Sequence, residues 1–139
     1  MWCLSSSKVR IVSKYFCETD VVPPDTPNRP YSLHKGQSGH MYIVQEREFL
    51  NSGETVYKIG KSTNIKHRMP SYPKNSLIII IVHTGSYDVH HVERQLIEHL
   101  KDSRRFVQRT DIGSEYFECS VVDLMNEYSN LQQAIYCKF

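Results

Sequence analysis

The chain has 139 residues, 40% of them hydrophobic, with nine tyrosines and five phenylalanines. This length suffices for a single domain with a real core, and the aromatic content excludes general disorder. The net charge of +2 is too small to identify a nucleic-acid-binding protein, so the distribution of the charges must decide. The longest apolar run, residues 77–82, is far shorter than a membrane span, and we expect no membrane segment.

The first part of the chain indicates an arm and a linker. Residues 8–16 alternate apolar and charged side chains, which predicts a strand. Prolines at positions 23, 24, 27 and 30 then exclude a helix and predict an extended linker. The segment before the linker has too few large apolar residues to fold alone. We therefore expect residues 1–38 to form an arm on a domain that spans residues 39–139.

The centre of the chain predicts two paired strands and a short helix. Residues 40–46 alternate as a strand does, residues 51–53 (Asn-Ser-Gly) form a turn, and residues 55–61 are extended again. Ser62 or Thr63 is expected to cap the basic helix that follows. A buried strand is predicted at residues 77–83, which completes a sheet of three antiparallel strands.

The rest of the chain predicts two helices with a loop between them. Asp88 begins a helix to about residue 101, whose apolar stripe is Val89, Val92, Leu96, Ile97 and Leu100. Residues 103–112 form a basic loop, and residues 115–119 are a short strand or extended segment. Ser120 and Asp123 resemble a capping box that begins the last helix. The predicted fold class is α+β, a small three-stranded antiparallel sheet flanked by helices.

Two short motifs and one arginine resemble a known family. His40-Met41-Tyr42 is followed by Tyr57-Lys58-Ile59-Gly60 and, in the next helix, by Arg68. This order is similar to the GIY-YIG endonuclease superfamily, and most similar to the Y-K-I-G branch found in phages and large DNA viruses. The first motif keeps only its tyrosine, and the second has lysine where better-known members have tyrosine. The resemblance covers residues 39–119 and implies a nuclease.

Glu93 lies near the middle of the apolar stripe of the predicted helix at residues 88–101. An unpaired carboxylate facing a core is strongly unfavourable, so protonation, a basic partner or a metal ion must neutralise it. A buried ion pair with Arg or Lys is one alternative. The resemblance implies the other, a single metal-binding glutamate that holds Mg²⁺ or Mn²⁺ together with water and substrate phosphate. His90, His91 and His99 point away from this position and are expected to be exposed.

The resemblance implies catalytic roles for Tyr42, Lys58, Arg68 and Glu93. Arg68 would hold the scissile phosphate, because a guanidinium offers paired donors and keeps its charge. Tyr42 would take the proton of the attacking water if the cations of Lys58 and Arg68 favour its phenolate. Alternation places Tyr57 and Lys58 on opposite faces, so only one of them can join Tyr42 in one pocket. Counting back from Gly60 favours Lys58, with Tyr57 as the alternative. The alternative for Tyr42 is a half-buried strand tyrosine without a catalytic role, and the alternative for Arg68 is a solvated helix residue.

Basic residues occur in two clusters. No Asp or Glu occurs between residues 55 and 87, and a second basic run follows the Glu93 helix. The candidate nucleic-acid-binding residues are Lys61, Lys66, Lys74, Lys101, Arg104 and Arg105. These side chains suit phosphate contacts, and the alternative is a pair of solvated basic surfaces. No base-reading helix is present, so little sequence specificity is expected.

Together these patterns predict a metal-dependent endonuclease that acts on DNA. The second hypothesis is a catalytically inactive nucleic-acid-binding module with the same fold, and the third is a protein-interaction domain. A single active site nicks one strand, so cutting both strands requires a homodimer or two encounters. The four cysteines, Cys3, Cys17, Cys119 and Cys137, lack C-x-x-C spacing. They are expected to be free thiols in a reducing intracellular compartment, cytoplasmic or nuclear, with a tie between the termini as the alternative.

Overall fold

The computed structural model describes residues 31–136, and the predicted strand at residues 8–16 lies outside this range, as do three of the cysteines. The strands are β1 (His40–Gln45), β2 (Val56–Ser62), β3 (Leu77–His83), β4 (Val107–Gln108) and β5 (Tyr116–Glu118). The helices are α1 (Arg47–Ser52), α2 (Ile65–Arg68), α3 (Val89–Asp102) and α4 (Val121–Tyr136), and a 3₁₀ turn (Met69–Ser71) follows α2. Within the described range no helix has the length and apolar character needed to cross a membrane.

The sheet has five strands in the order β3-β1-β2-β5-β4, and every neighbouring pair is antiparallel. The predicted α+β class is confirmed, but the predicted number of three strands is wrong. The additional strands are β5, which lies within the predicted short strand or extended segment at residues 115–119 and pairs with β2, and β4, which pairs with β5. They have three and two residues, too few to show an alternating pattern in the sequence.

The connection between β1 and β2 differs from the prediction. The two strands pair as expected, but a helix, α1, occupies the segment where a tight turn was predicted. The amides of Phe49 and Leu50 donate to the carbonyl of Glu46, which starts this helix. Gly53 ends it in the left-handed conformation, with φ of 79°, which a glycine adopts without strain.

Helix caps confirm one prediction and correct another. Asp88 caps α3 as predicted, since its carboxylate accepts a hydrogen bond from the His91 amide. The cap of α2 is Asn64 rather than Ser62 or Thr63, because the Asn64 side-chain oxygen accepts from the His67 amide at 3.2 Å. Ser62 instead accepts from the Asn64 amide at 2.9 Å and shapes the approach to the helix.

The two faces of the sheet have different environments. α3 packs against β1 and β2 and α4 against β3, and both helices share one hydrophobic core with the sheet. The β1 and β2 side chains in that core are Met41, Ile43, Tyr57 and Ile59. Alternation therefore directs Tyr42 and Lys58 to the opposite face, which we call the open face. On it Ile81, the cross-strand neighbour of Tyr42 in β3, is 46% exposed.

Residues 31–38 pack on the helical side of the domain. The Tyr31 hydroxyl donates to the Glu127 carboxylate in α4 at 2.8 Å, and its ring stacks on His99 at 4.0 Å. His34 stacks in the same way on His91. His99 is buried, so its predicted exposure is wrong, whereas His90 is exposed as expected. The histidine is covered because Tyr31, from outside the helix, lies on its ring.

Cys119 is the one cysteine within the described range, and it is a buried free thiol. Burial raises the pKa of the Cys119 thiol to about 12, with smaller contributions from Asp123 and Glu118. The thiolate is therefore strongly disfavoured, and this side chain is a packing residue rather than a reactive one. A tie between the termini involves cysteines outside the described range.

Candidate active site

The register of β1 and β2 builds the centre of the site. Tyr42 lies opposite Gly60, and Val44 lies opposite Lys58, so Tyr42 and Lys58 occupy the same face on adjacent strands. Tyr57 is buried in the core on the other face. Of the two candidates for the second motif position, Lys58 is therefore the one that shares a face with Tyr42.

Gly60 is required by the position of the Tyr42 ring. A Cβ atom on Gly60 would lie 2.1 Å from Tyr42 Cε1 and 2.6 Å from its hydroxyl oxygen, which no real side chain tolerates. The ring thus lies directly on the backbone of β2. At the other end of the residue, the Tyr128 hydroxyl in α4 donates to the Tyr42 carbonyl at 2.9 Å. Tyr42 is 1% exposed and is fixed from both sides.

Tyr72 completes this arrangement. Its hydroxyl oxygen lies 2.7 Å from that of Tyr42, and the two rings meet edge to face with centroids 6.0 Å apart. The 3₁₀ turn after α2 brings it there, since its amide donates to the Met69 carbonyl. The sequence shows Tyr72 one helical turn past Arg68, where some members of the GIY-YIG superfamily have a histidine. This spacing from Arg68 is the signal in the sequence that points to Tyr72.

Lys58 lies between two aromatic rings. Its ammonium nitrogen is 5.2 Å from the ring centroid of Tyr72 and 5.7 Å from that of Tyr116. These distances allow cation–π attraction, which holds the charge on the open face. The Tyr116 hydroxyl donates to both carboxylate oxygens of Glu46, at 3.0 and 3.1 Å. Tyr116 and Glu46 therefore support Lys58. Tyr116 lies in the segment predicted to be extended, residues 115–119, but neither residue was predicted to belong to the site.

The electrostatic balance at Tyr42 differs from the expected one. Burial raises the pKa of the Tyr42 phenol above its ordinary value, and this effect exceeds the lowering by the Tyr72 hydrogen bond and the positive charge of Arg68. The carboxylates of Glu115 and Glu93 raise the pKa of this phenol further. Arg68 favours the phenolate as predicted, but the net balance favours the neutral phenol.

Glu93 has a direct basic partner. Its carboxylate oxygen Oε1 accepts a hydrogen bond from the Lys61 ammonium at 2.7 Å, and the side chains of Glu93 and Lys61 are 12% and 32% exposed. Lys61 lies opposite Met41, so alternation assigns it to the helix-packed face. The structure therefore groups Tyr42, Lys58 and Tyr72 on the open face, and Arg68 is near enough for its charge to act on Tyr42. Glu93 is paired with Lys61, and its charge also acts on Tyr42.

The donor atoms near Glu93 limit the kind of metal site that fits. Within residues 31–136 no group of three or more His, Cys, Asp or Glu side chains could hold an ion. Magnesium is commonly bound through one carboxylate, with water and substrate phosphate filling the other positions. Glu93 fits that role as the single protein ligand. The Lys61 ammonium must then move away from Oε1.

The predicted nucleic-acid-binding residues fall into two groups. Lys66, Lys74, Lys101 and Arg104 are exposed side chains. Lys61 and Arg105 are held in ion pairs, the latter with Asp123 at 3.0 Å. Arg109, the last arginine of the second basic run, is paired with Asp111 at 2.8 Å and Glu118 at 3.2 Å. The exposed group is therefore better placed to meet phosphates than the paired one.

The fold and this cluster define a small antiparallel α+β domain with a buried tyrosine and neighbouring cations on the open face of its sheet. The family model of the T5orf172 domain matches residues 39–133, and the chain belongs to this family. The T5orf172 domain is found in phage proteins and is associated with nuclease-type modules. No curated protein and no solved structure matches the chain.

Proposed function

We propose that the domain is an endonuclease that hydrolyses DNA phosphodiester bonds with Mg²⁺ or Mn²⁺, in the manner of the GIY-YIG enzymes that its motifs resemble. The observation that carries the proposal is the cluster on the open face. A phenol, Tyr42, lies within reach of the positive charge of Arg68, and Lys58 is on the same face of the adjacent strand. The association of the T5orf172 domain with nuclease-type modules supports the same function.

Each residue of the cluster has a distinct role in this proposal. Tyr42 accepts the proton of the attacking water as general base. Arg68, which is exposed, binds the scissile phosphate, and Lys58 adds positive charge as the phosphate becomes more negative. When bound at Glu93, Mg²⁺ or Mn²⁺ supplies Lewis-acid stabilisation of the phosphate and of the leaving oxygen.

The raised pKa of Tyr42 predicts how the reaction depends on pH. A general base must be deprotonated to act, and this phenol titrates above its ordinary value of about 10. Below that pKa, the phenolate fraction rises about tenfold for each pH unit. The rate of the chemical step should therefore increase continuously from about pH 7 to pH 9.

Contacts to DNA would come from the exposed cations. Within the described part of the chain, Lys66, Lys74, Lys101 and Arg104 can approach phosphates without first giving up a carboxylate partner. Lys61 and Arg105 would have to exchange their carboxylate partners for phosphates. Contacts of this kind depend on salt and carry little sequence information.

Nicking of supercoiled plasmid by the purified chain, with Mg²⁺, with Mn²⁺ or with EDTA, tests the proposal. Tyr42→Phe removes one oxygen atom and should reduce the rate by about 10²-fold or more. Tyr57→Phe is the matched control, because the same atom is removed from a tyrosine buried on the opposite face. A parent protein that nicks with neither ion refutes the proposal. The ratio of linear to open-circular product shows whether the protein cuts both strands in one encounter.

The second candidate is a catalytically inactive module that binds nucleic acid. Two observations favour it. Tyr42 is 1% exposed with its hydroxyl bonded to Tyr72, and Glu93 is neutralised by Lys61. This candidate predicts salt-dependent DNA binding that is equal in the parent and in Tyr42→Phe, and no nicking by either.

A further inference from the structure

Tyr72 contacts two of the residues that the proposed reaction needs, Tyr42 and Lys58. Its hydroxyl oxygen lies 2.7 Å from the Tyr42 hydroxyl oxygen. The face of its ring lies 5.2 Å from the ammonium of Lys58, measured to the centroid. Tyr72 therefore links the phenol of β1 to the cation of β2.

The hydrogen bond between the two phenols has a preferred direction. By position alone, either hydroxyl can donate. The two sites differ electrostatically: this bond lowers the pKa of Tyr42, whereas burial and the same bond raise the pKa of Tyr72. Tyr42 is thus the phenol that ionises more readily, and its anion accepts a hydrogen bond from the Tyr72 hydroxyl.

The surroundings keep both oxygen atoms in place. The Tyr42 ring rests on Gly60, and the Tyr128 hydroxyl holds its carbonyl at 2.9 Å. Tyr72 is held by the hydrogen bond that its amide donates to the Met69 carbonyl and by the Lys58 ammonium over its ring. Because neither tyrosine depends on the hydroxyl–hydroxyl bond alone for its position, removal of one oxygen should leave both rings in place.

We propose that Tyr72 is a positioning residue that donates a hydrogen bond to Tyr42 and stabilises the phenolate that deprotonates the attacking water. This inference rests on the proposed endonuclease function. A water O–H bond breaks and its proton moves to the Tyr42 oxygen, while the hydroxide oxygen bonds to phosphorus. The P–O bond to the leaving group breaks with its electron pair on the leaving oxygen, which is protonated from solvent. Tyr42 then returns its proton to solvent.

The kinetic test compares two variants that each lose one hydroxyl from a ring facing Lys58. Tyr72→Phe removes the donor to Tyr42, and Tyr116→Phe removes a hydroxyl that is bonded to Glu46 instead. Single-turnover nicking is measured from pH 6.5 to 10. Tyr72→Phe should shift the pH dependence upward by about one unit and reduce the rate at pH 8 about tenfold. Tyr116→Phe should keep the pH dependence of the parent, and an unshifted profile for Tyr72→Phe overturns the inference.

A second measurement does not depend on activity. Tyrosine labelled with ¹³C at Cζ reports ionisation of each phenol by NMR, and Tyr42→Phe identifies the Tyr42 signal. Removal of the Tyr72 hydroxyl should move the Tyr42 titration to higher pH, and an unmoved titration overturns the inference. If the parent never nicks but the titration moves, the proposed function fails while the stabilisation of the Tyr42 phenolate by Tyr72 stands. If the protein unfolds before Tyr42 titrates, the test is a slowly exchanging hydroxyl proton observed by NMR at neutral pH. This proton should be present in the parent and lost in Tyr72→Phe and in Tyr42→Phe. Its absence from the parent overturns the inference.

Discussion

Gly60→Ala tests whether the motif glycine serves to seat the Tyr42 ring. The added methyl group would lie 2.1 and 2.2 Å from two ring carbons, whereas non-bonded carbons normally stay about 3.5–4.0 Å apart. The ring must therefore move by more than about 1 Å, and Tyr42, at 1% exposure, has no free space around it. The displacement also breaks its hydrogen bond to Tyr72.

These effects give an expected loss of stability. Overpacking costs about 1–3 kcal/mol, the lost hydrogen bond about 1 kcal/mol, and replacing a strand glycine returns about 0.5–1 kcal/mol. The net destabilisation should be about 1–3.5 kcal/mol, measured by urea unfolding followed by circular dichroism. For a domain of this size, the melting temperature should fall by roughly 3–18 °C.

A double-mutant cycle separates this cause from a general intolerance of the strand. In a Tyr42→Ala background the ring is absent, so Gly60→Ala should cost nothing or stabilise the protein slightly. Gly113→Ala is the control glycine, because its added methyl group would lie 3.1 Å from Tyr116, a far milder contact. If Gly60→Ala costs the same with and without the Tyr42 ring, the explanation is wrong.

Three further predictions concern charged groups. Glu93→Gln and Lys61→Gln should each destabilise the metal-free protein by about 1–3 kcal/mol, and the double variant should lose less stability than the sum of the two. Losses that add in thermal melts would contradict the ion pair. DNA affinity should fall steeply with salt, and Lys66→Gln or Arg104→Gln should reduce the slope of log affinity against log salt concentration by about 1. Arg105→Gln should change this slope less, because Arg105 is already paired with Asp123. Binding that does not depend on salt would contradict the nucleic-acid role. Burial raises the pKa of Glu127 more than the hydrogen bond from Tyr31 lowers it. The protonated Glu127 side chain therefore contributes stability that is complete below about pH 4 and is lost as pH rises through the pKa of Glu127 in the folded protein. Glu127→Gln should abolish that part of the decline in melting temperature, and parallel curves for parent and variant would refute it.

The prediction of the sheet shows where a sequence pattern is sufficient. The alternation in residues 40–46 and 55–61 is a property of the extended backbone itself, so the pattern correctly places Lys58 and Tyr57 on opposite faces. The cap at Asp88 is equally local, since its carboxylate reaches an amide three residues away. α1 and β4 lack such signals, because α1 includes residues that the sequence predicts as a turn and the two residues of β4 are too few to display a period.

Glu93 shows where a pattern raises a question that only the structure answers. Its place on an apolar stripe requires a neutralising partner, but the pattern is compatible with either an ion pair or a metal ion. The partner in the structure is Lys61, which is 32 residues away in sequence and 2.7 Å away in space. A distance of that kind follows from how α3 crosses β2, and no local rule contains it.

By itself, the sequence determined the α+β class, the positions of the main strands and long helices, and the opposite faces of Tyr57 and Lys58, because each follows from backbone geometry over a few residues. Tertiary structure alone decided which groups meet: Tyr72 on the Tyr42 hydroxyl, Tyr116 beside Lys58, and Lys61 on Glu93. It also decided the sign of the pKa shift at Tyr42. The sequence shows Arg68, whose charge lowers this pKa, but the burial that raises it more depends on every element packed around the ring.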